Sequence, residues 1–353
     1  MAVFDDLAFD GHERVLFCHD ADTGLKAIIA IHSTALGPAA GGTRLWSYAS
    51  DDEALHDVLR LAQGMSFKNA MAGLRFGGGK GVIIKTNDFN GSEALYERYG
   101  EFVDSLDGAY VTAEDVGMSV DIMDVISRKT RYVAGLSRDE GQAGGDPSPK
   151  TSFGIFKGME AAVAFKMGAD SLAGLRVAVQ GVGHVGYYLC RYLHDAGASL
   201  VVADIDPQRA QRAVDEFAAT AVDFAELLVS DVDIVSPCAL GAILTEQSIA
   251  GLKASIVAGG ANNQLETAAD GQRLHDAGIL YAPDYVINGG GIINVACEYY
   301  GDATDAEVWD RVAAIGPRLT GIFEESAATN LPTNRVADAQ ARQIIADASS
   351  AAS

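Results

Sequence analysis

Residues Lys68–Lys80 read Lys-Asn-Ala-Met-Ala-Gly-Leu-Arg-Phe-Gly-Gly-Gly-Lys, and this stretch indicates how the first part of the chain folds. Just upstream, Ser50-Asp51-Asp52-Glu53 has the form of a capping box, in which serine and glutamate satisfy each other's free amides. Apolar residues then recur at helical spacing, so we expect Lys68 near the end of an amphipathic helix. Beyond Lys80, Val82–Ile84 predicts a buried strand. A helix, a glycine turn and a strand would aim both amines at one small volume.

Taken alone, this stretch leaves two interpretations open, since most lysines are solvated surface residues and surface glycine turns are common. However, Gly-Gly-Gly-Lys, preceded by Gly64–Lys68, resembles the active-site segment of the leucine, phenylalanine, valine and glutamate dehydrogenases. That resemblance implies that Lys68 holds the carboxylate of the substrate and that Lys80 is the catalytic lysine.

Length and composition favour an α/β protein of two domains, because 353 residues are too many for one ordinary core. The 48 acidic residues outnumber 26 lysines and arginines, which gives a net charge of -22. Such a surface repels nucleic acid and anionic membranes, so we expect neither as a partner. Adaptation of the protein to high salt would also explain the excess of acidic residues.

The chain shows no feature of export, membrane insertion or metal binding. Its N-terminus lacks the basic and apolar regions of a signal peptide, and no apolar run approaches about 18 residues. The seven histidines form no zinc-like pattern, and the cysteines are scattered without metal or redox spacing. These features predict a cytoplasmic protein without a metal site. Its four cysteines are expected to be reduced thiols: Cys18, Cys190, Cys238 and Cys297.

Residues 13–32 predict a β-hairpin, because two apolar runs flank the turn signal Asp20–Gly24. A glycine-rich loop, Leu36–Arg44, follows; its residues alone indicate only a turn. By resemblance, Ala40, Gly41 and Gly42 line the substrate pocket. Leucine dehydrogenases usually carry a larger leucine at the position of Ala40, so alanine there suggests extra room.

The next segments predict a helix over residues 92–105 and a strand over 109–112. The strand leads into Ala113–Gly117, and carboxylates in such a place often cap a following helix. The stretch Thr-Ala-Glu-Asp-Val-Gly also resembles the family segment whose aspartate shuttles protons. By that resemblance Asp115 is the proton shuttle, and Glu114 has a structural role.

The run Ser137–Pro149 is rich in glycine, acids, serine and proline, which is typical of a crossover between domains. A helix is expected over Thr151–Met167, with Gly168 placed to end it. The resemblance implies that Thr151 contacts the nicotinamide amide.

A dinucleotide-binding motif begins at Gly181, where G-x-G-x-x-G follows the apolar strand Arg176–Gln180. A helix over Val185–Ala196 and a second strand then supply the βαβ context that a lone motif lacks. Its glycines would let a pyrophosphate reach the helix N-terminus. We therefore predict cofactor contacts from Gly181, Gly183, His184, Val185 and Gly186. His184 suits a solvent-facing loop position better than a catalytic one.

The second strand ends at Asp204, near the distance that recognition of ribose hydroxyls requires. Its charge would repel a 2′-phosphate, so NAD is favoured over NADP. Arg209 argues the other way, but it lies about a helical turn too far along.

Later strands are expected over residues 233–236, 255–258 and 279–282, with helices between them, as in a doubly wound parallel sheet. Polar groups follow each strand, and ligands of such sheets bind there, although turn chemistry also explains these residues. Two of the groups resemble the family's Ala-Asn-Asn-Gln and Tyr-Val-Ile-Asn motifs. The resemblance implies cofactor contacts from Ala239, Asn262 and Asn288, with Asn262 also near the substrate. It implies an apolar side-chain pocket formed by Ala40, Met65, Ala113, Ile292 and Val295.

The resemblance spans nearly the whole chain and implies two α/β domains with a cleft between them. We assign residues 1–136 to a substrate-binding and catalytic domain and residues 147–329 to a Rossmann-type NAD domain. Residues 307–330 are expected to be helical, and a shorter helix at about 336–346 lies in a C-terminal segment, residues 330–353, that packs back on the first domain. A homo-oligomer is implied, with dimer and octamer both open.

The implied reaction is reversible oxidative deamination of an L-amino acid to a 2-oxo acid and ammonia, with NAD accepting the hydride. An apolar pocket argues against glutamate, and we favour branched-chain aliphatic substrates over phenylalanine. Lys80, crowded by Lys68 and partly desolvated, should have a lowered pKa and act as the general base. A non-catalytic NAD-binding regulator is a distant alternative. A 2-hydroxy acid dehydrogenase would require a histidine–acid pair, which the cleft segments lack.

Overall fold

The structure, a computed structural model, describes residues 3–87, 89–136, 144–239 and 241–351. It divides into two compact units. The first unit comprises Met1–Gly145, Asn294–Asp305 and Ala341–Ser353, and the second comprises Asp146–Ile293 and Ala306–Gln340.

Two segments fall differently from the division expected from sequence. Asn294–Asp305 belongs to the first unit, although it lies within the predicted NAD domain, and residues 330–340 belong to the second. The reason is that two continuous helices are shared between the units: α11 (Gly290–Tyr300) and α14 (Thr333–Ala351) each begin in the second unit and end in the first. Periodicity detects such a helix but does not show where along it the packing partner changes.

The first unit is built on a mixed five-stranded sheet in the order β1-β2-β4-β3-β5. Its strands are β1 (Arg14–Asp20), β2 (Leu25–Ser33), β3 (Ala39–Trp46), β4 (Gly77–Ile84) and β5 (Tyr110–Glu114). β1 and β2 form the predicted hairpin, β2 also runs antiparallel to β4, and β3 is parallel to both β4 and β5. Parallel β3, β4 and β5 therefore end at the same edge of the sheet.

Helices cover the sheet of the first unit: α1 (Asp51–Met71), α2 (Glu93–Asp104) and α3 (Val120–Ser127), after a 3-10 turn at Val3–Asp5. The predicted start of α1 is confirmed, because the Ser50 hydroxyl accepts a hydrogen bond from the amide of Glu53. The Glu53 carboxylate in turn accepts from the amide of Ala49, one residue before the expected partner. These bonds satisfy backbone donors that a helix N-terminus leaves free.

Both glycine-rich segments that were predicted as turns are strands. Gly77, Gly78 and Gly79 lie inside β4 and are buried, and Gly41 and Gly42 lie inside β3. A Cβ on Gly78 would sit 2.0 Å from the backbone nitrogen of Ser66, so α1 crosses the strand too closely for any side chain. Sequence propensity favours turns for such runs, but here tertiary packing requires the glycines.

The second unit contains a six-stranded sheet in the order β11-β10-β9-β6-β7-β8, and its strand pairs are parallel. The strands are β6 (Arg176–Gln180), β7 (Ser199–Ala203), β8 (Thr220–Ala221), β9 (Ile234–Pro237), β10 (Ile256–Val257) and β11 (Leu280–Tyr281). This is the doubly wound arrangement expected of a Rossmann-type domain. The predicted fold class, two α/β domains with the second of Rossmann type, is confirmed.

The helices that alternate with these strands are α4 (Ser148–Met167), α5 (His184–Asp195), α6 (Pro207–Phe217), α7 (Phe224–Leu228), α8 (Glu246–Gly251), α9 (Ala268–Asp276) and α10 (Asp284–Ile287). The chain then continues through α11, α12 (Asp305–Ala313), α13 (Ile315–Thr329) and α14. The segment expected to be helical, residues 307–330, is thus covered by two helices, and α14 is longer than expected. Gly168 ends α4 in a left-handed conformation as predicted. Most of the expected crossover, residues 137–143, lies outside the described residues.

Two kinds of feature are absent from the part of the chain that the structure describes. None of its helices is both long and apolar enough to span a membrane. Nor does that part bring together three or more histidine, cysteine or acidic side chains that could hold a metal ion.

Candidate active site

The register of the first sheet places several predicted site residues on one face. Ala40 pairs with Gly78 and Thr43 with Gly81, which puts Gly42 level with Lys80. Gly42 is also paired with Ala113 on the other side of β3. Because side chains alternate across a strand, Lys80 projects from the same face as these two small residues. This leaves space beside the lysine side chain on the sheet.

The structure brings Lys80 and Asp115 into direct contact. Nζ of Lys80 lies 2.8 Å from Oδ2 of Asp115, and the lysine side chain is only 6% exposed. The same carboxylate oxygen accepts a hydrogen bond from Nε of Arg44 at 3.2 Å. Burial raises the pKa of Asp115, but the charges and hydrogen bonds of Lys80 and Arg44 outweigh it and lower that pKa to about 2. Asp115 is therefore a carboxylate throughout the neutral range.

Gly42 makes room for this ion pair. A Cβ at Gly42 would meet the carbonyl oxygen of Glu114 at 2.5 Å and Cβ of Asp115 at 2.9 Å. A Cβ at Gly41 would meet the carbonyl oxygen of Gly79 at 1.9 Å. Any side chain at Gly42 would thus displace the carboxylate-bearing segment after β5.

Helix α1 supplies the other two predicted residues of this region. Lys68 lies in its last turn and is half-buried, and Met65 lies one turn earlier. Cγ of Met65 is 2.9 Å from the position of a Cβ at Gly41, so its side chain lies against β3. The close crossing of Ser66 over Gly78 fixes this part of α1 on the sheet.

Ala40, whose small size suggested extra room, lies in a buried cluster of the first unit. Ala40 is 3% exposed and belongs to a buried cluster with Phe76, Val111 and Ala296. Phe76 is completely buried, and the rings of Tyr299 and Tyr300 pack against it. A large aromatic ring therefore belongs to the same buried cluster as the small residue at position 40.

In the second unit, the three glycines of the predicted motif have different surroundings. Gly181 has φ +87° and lies against Ala239, and a Cβ on Gly186 would sit 1.9 Å from the carbonyl oxygen of Gly181. At the N-terminus of α5, a Cβ on Gly183 would approach only the guanidinium of Arg209 among the described residues, at 3.7 Å. Tight turn, close helix packing and open space at the helix start are what a pyrophosphate site needs. His184 begins the helix and is exposed, and Val185 follows it half-buried.

Asp204 follows β7 and is tied to the glycine turn. Its Oδ2 accepts a hydrogen bond from the amide of Val182 at 2.8 Å, and its Oδ1 accepts from the amide of Asp206 at 2.9 Å. The carboxylate is thereby held at the carboxyl end of the sheet beside the motif. This is the position at which an acid recognises ribose hydroxyls.

Asn262 and Asn288 are brought together at the ends of β10 and β11. Nδ2 of Asn288 donates to Oδ1 of Asn262 at 2.7 Å and to the carbonyl oxygen of Gly260 at 3.1 Å. Gln264, which sequence reasoning did not select, is buried and donates from Nε2 to the carbonyls of Gly259 and Ala261. These bonds fix the loop that carries Asn262.

The remaining predicted residues lie on helices. Thr151 is in the first turn of α4, where its hydroxyl donates to the carbonyl of Pro147. Oγ1 of Thr151 is 2.8 Å from the position of a Cβ on Gly291, so the starts of α4 and α11 lie close together. Ile292 and Val295 are half-buried on α11; the first belongs to the second unit and the second to the first.

Sequence reasoning missed Arg44, a charged neighbour of Asp115, and Asp57, the second carboxylate that Arg44 contacts. Arg44 was noted only as the end of a glycine-rich loop, and Asp57 of α1 was not singled out. The signal that could have found Arg44 is its place two residues after Gly42, on the same face of a strand. That signal was hidden because the segment was interpreted as a loop.

A Rossmann-type unit in a chain that also carries a largely buried lysine–carboxylate pair is typical of the class of nucleotide-dependent dehydrogenases. Comparison with known proteins narrows the class. Residues 12–132 match the model of the Glu/Leu/Phe/Val dehydrogenase dimerisation domain, and residues 202–348 match that of Glutamate/Leucine/Phenylalanine/Valine dehydrogenase.

Similar proteins cover nearly the full chain. Leucine dehydrogenase of Geobacillus stearothermophilus is 49% identical over 98% of this chain and 94% of its own length. Valine dehydrogenase of Streptomyces virginiae is 46% identical over 94% of this chain and 95% of its own. The crystal structure of L-tryptophan dehydrogenase from Nostoc punctiforme superposes with a TM-score of 0.84 at 44% identity, covering 96% of this chain and 97% of that one. The chain belongs to the Glu/Leu/Phe/Val dehydrogenase family of amino acid dehydrogenases, as its motifs predicted.

Proposed function

We propose that this enzyme catalyses the reversible, NAD-dependent oxidative deamination of an apolar L-amino acid, preferably a branched-chain aliphatic one. The ion pair between Lys80 and Asp115 on the glycine-lined face of the first sheet is the observation that carries the proposal. It places an amine and a carboxylate, the two groups that proton transfer to and from water and ammonia requires, within hydrogen-bond distance.

The proposed chemistry assigns one role to each residue. Lys68 binds the carboxylate of the amino acid, a charge-assisted contact of about 1.5–3 kcal/mol. The chemistry that a bound nicotinamide would supply is acceptance of a hydride from the α-carbon, which would leave an iminium ion on the substrate. Lys80, after passing its ammonium proton to the Asp115 carboxylate, takes a proton from water as the oxygen attacks the iminium carbon. Asp115 gives its proton to the amine nitrogen and takes up the hydroxyl proton as the C–N bond breaks, which leaves the 2-oxo acid and ammonia.

The preference for NAD rests on Asp204 and Gly183. The open space at Gly183 fits a pyrophosphate, and the Asp204 carboxylate suits two ribose hydroxyls but repels a phosphate. We expect Asp204→Ala to raise the KM for NAD at least about tenfold while the KM for NADP stays the same or falls. The ratio of kcat/KM for the two cofactors measures this, and an unchanged ratio would contradict the assignment.

The preference for aliphatic substrates rests on the buried cluster around Ala40. Because Phe76 lies in the same buried cluster as Ala40, a small residue at position 40 does not by itself favour a phenyl ring. Leucine and valine dehydrogenases are also among the similar proteins. The alternative is an aromatic preference, which the similarity to an L-tryptophan dehydrogenase keeps open.

The first experiment is NADH consumption in the presence of ammonia, comparing 4-methyl-2-oxopentanoate with phenylpyruvate at matched concentrations. Faster turnover of the aliphatic acid supports the proposal, and faster turnover of phenylpyruvate supports the aromatic alternative. Lys80→Ala should reduce kcat by at least about a hundredfold, as expected for loss of a general base. Near-wild-type turnover by that variant would refute the assigned mechanism.

We further propose that the enzyme is a homo-oligomer. The edge strand β1 carries Phe17, which is 60% exposed, and the first unit matches a family model described as a dimerisation domain. Light scattering of the purified protein tests this, and Phe17→Glu should weaken association if the β1 edge takes part. A monomeric mass at micromolar concentration would refute the proposal.

A further inference from the structure

Arg44 links the carboxylate of Asp115 to helix α1. Its Nε contacts Oδ2 of Asp115 at 3.2 Å, and its Nη1 contacts Oδ2 of Asp57 at 2.9 Å. The guanidinium therefore lies between two carboxylates, one beyond the end of β5 and one on α1. Its side chain is 21% exposed, so the contacts are largely screened from water.

The second carboxylate is itself fixed. The hydroxyl of Tyr48 donates to Oδ2 of Asp57 at 2.8 Å, and Nη2 of Arg60 contacts Oδ1 at 2.9 Å. Burial raises the pKa of Asp57, but the nearby arginines and the tyrosine hydrogen bond lower it overall, so it stays ionised. The guanidinium of Arg44 is thus anchored to the fixed Asp57 carboxylate and also contacts Asp115.

Two cations contact the Asp115 carboxylate. Lys80 and Arg44 contact the same oxygen, Oδ2, which fixes the carboxylate from two directions. If Lys80 gives up its proton during a reaction, it no longer neutralises the carboxylate, whereas the guanidinium keeps its charge. Arg44 would then be the remaining partner that keeps Asp115 ionised and in place.

We propose that Arg44 is a positioning residue for the reaction, which holds Asp115 ionised and oriented toward Lys80 through its anchor on Asp57. The proposal rests on the proposed function, because it assigns Arg44 a part in the proton relay. Arg44 exchanges no proton itself. Asp115 accepts a proton only transiently and passes it on, because the fixed guanidinium favours return to the carboxylate.

The test compares Arg44→Met with Arg44→Lys and with Arg60→Met. Methionine keeps much of the apolar bulk and removes the charge, whereas lysine keeps the charge but loses the fork that spans two carboxylates. Arg60→Met removes a cation from the same cluster without touching Asp115, so it is the matched control. The measurements are kcat, KM for the 2-oxo acid and the pH dependence of kcat/KM.

We expect Arg44→Met to lower kcat about 10- to 100-fold with little change in KM, since it misplaces a proton-transfer group and not a substrate contact. The acidic limb of its pH profile should move up by about one pH unit, because loss of a cation makes the Asp115 carboxylate easier to protonate. Arg44→Lys should recover part of kcat and return the acidic limb most of the way to its wild-type pH. Arg60→Met should leave the acidic limb at its wild-type pH. A pH profile for Arg44→Met that coincides with that of Arg60→Met would overturn the inference.

A second readout does not depend on turnover. In protein carrying ¹³C-labelled aspartate, the carboxyl signal that disappears in Asp115→Asn belongs to Asp115, and its titration can be followed by NMR. Arg44→Met should shift that titration toward higher pH, and Arg60→Met should not. If the wild-type enzyme turned over no amino acid, the proposed function would fail, but this titration would still decide whether Arg44 controls Asp115. An unshifted titration would refute the inference even in an active enzyme.

Discussion

At the scale of single residues, Asp115 connects the proposed chemistry to the stability of the fold. Its pKa of about 2 lies below the ordinary value of 3.8, so its ion pairs stabilise the native state above about pH 4 and are lost as the pH falls toward 2. At pH 6 the free energy of unfolding of the wild type should exceed that of Asp115→Asn. We expect this difference to fall by about 1 kcal/mol between pH 6 and pH 3, and by about 2 kcal/mol between pH 6 and pH 2. Urea unfolding of both proteins at several pH values measures it.

A difference between the two proteins that stays constant with pH would show that the ion pairs with Lys80 and Arg44 do not form in solution. Asp231→Asn is a suitable control, because Asp231 is 85% exposed and its contact with Arg176 is long. That variant should show almost no pH-dependent difference, since exposed ion pairs contribute little.

The pair Ala40 and Phe76 makes a second prediction at this scale. Phe76→Leu removes ring volume from the buried cluster that contains Ala40, so the preference for phenylpyruvate over 4-methyl-2-oxopentanoate should increase about tenfold in kcat/KM. Phe323→Leu makes the same change at an equally buried site in the second unit, so it controls for destabilisation alone. Equal substrate ratios in the two variants would mean that Phe76 does not shape the pocket.

At the scale of elements, the crossing of α1 over β4 depends on Gly78. A Cβ there would collide with the backbone of Ser66, which cannot give way as a flexible side chain can. We expect Gly78→Ala to lower the free energy of unfolding by about 1–3 kcal/mol or more, as overpacking does. Gly64→Ala, in the same helix with no atom of the described residues within 4 Å of the added Cβ, should be neutral or stabilising by up to about 1 kcal/mol. Equal effects in denaturant unfolding would contradict the proposed collision.

These elements also show which parts of the fold were predictable from the sequence. The hairpin, the capped start of α1 and the βαβ unit around Gly181 were predictable because local periodicity and caps determine them. The strand character of β3 and the first half of β4 was not, since glycine runs favour turns unless a neighbouring backbone occupies the space of a side chain. Arg44 was not selected as a site residue, because its contacts with Asp57 and Asp115 join separate segments of the chain. Only the strand register shows that these residues lie close together.

At the scale of the whole molecule, the sequence predicted two α/β units but not how the chain is divided between them. Helices α11 and α14 each belong to both units, so neither unit is a continuous stretch of chain. Composition and periodicity carry no signal for such an exchange, because a helix that changes partners remains a regular helix. The consequence is that a cut at residue 146 would separate the first unit from Asn294–Asp305 and Ala341–Ser353, which complete it.

The net charge of -22 makes a prediction for the molecule as a whole. Several ion pairs are local, but acidic residues still exceed basic ones almost twofold, so the compact state suffers net repulsion. Salt shortens the Debye length from about 10 Å at 0.1 M to about 3 Å at 1 M, which screens repulsion between exposed carboxylates more than it weakens the buried contacts of Asp115. We therefore expect the Tm to rise when KCl is increased from 0.05 M to 1 M. Calorimetry at matched pH measures it, and replacing several exposed aspartates by asparagine should raise the Tm at low salt and flatten the response. A Tm that falls steadily with KCl would mean that favourable ion pairs, and not repulsion, dominate the surface electrostatics.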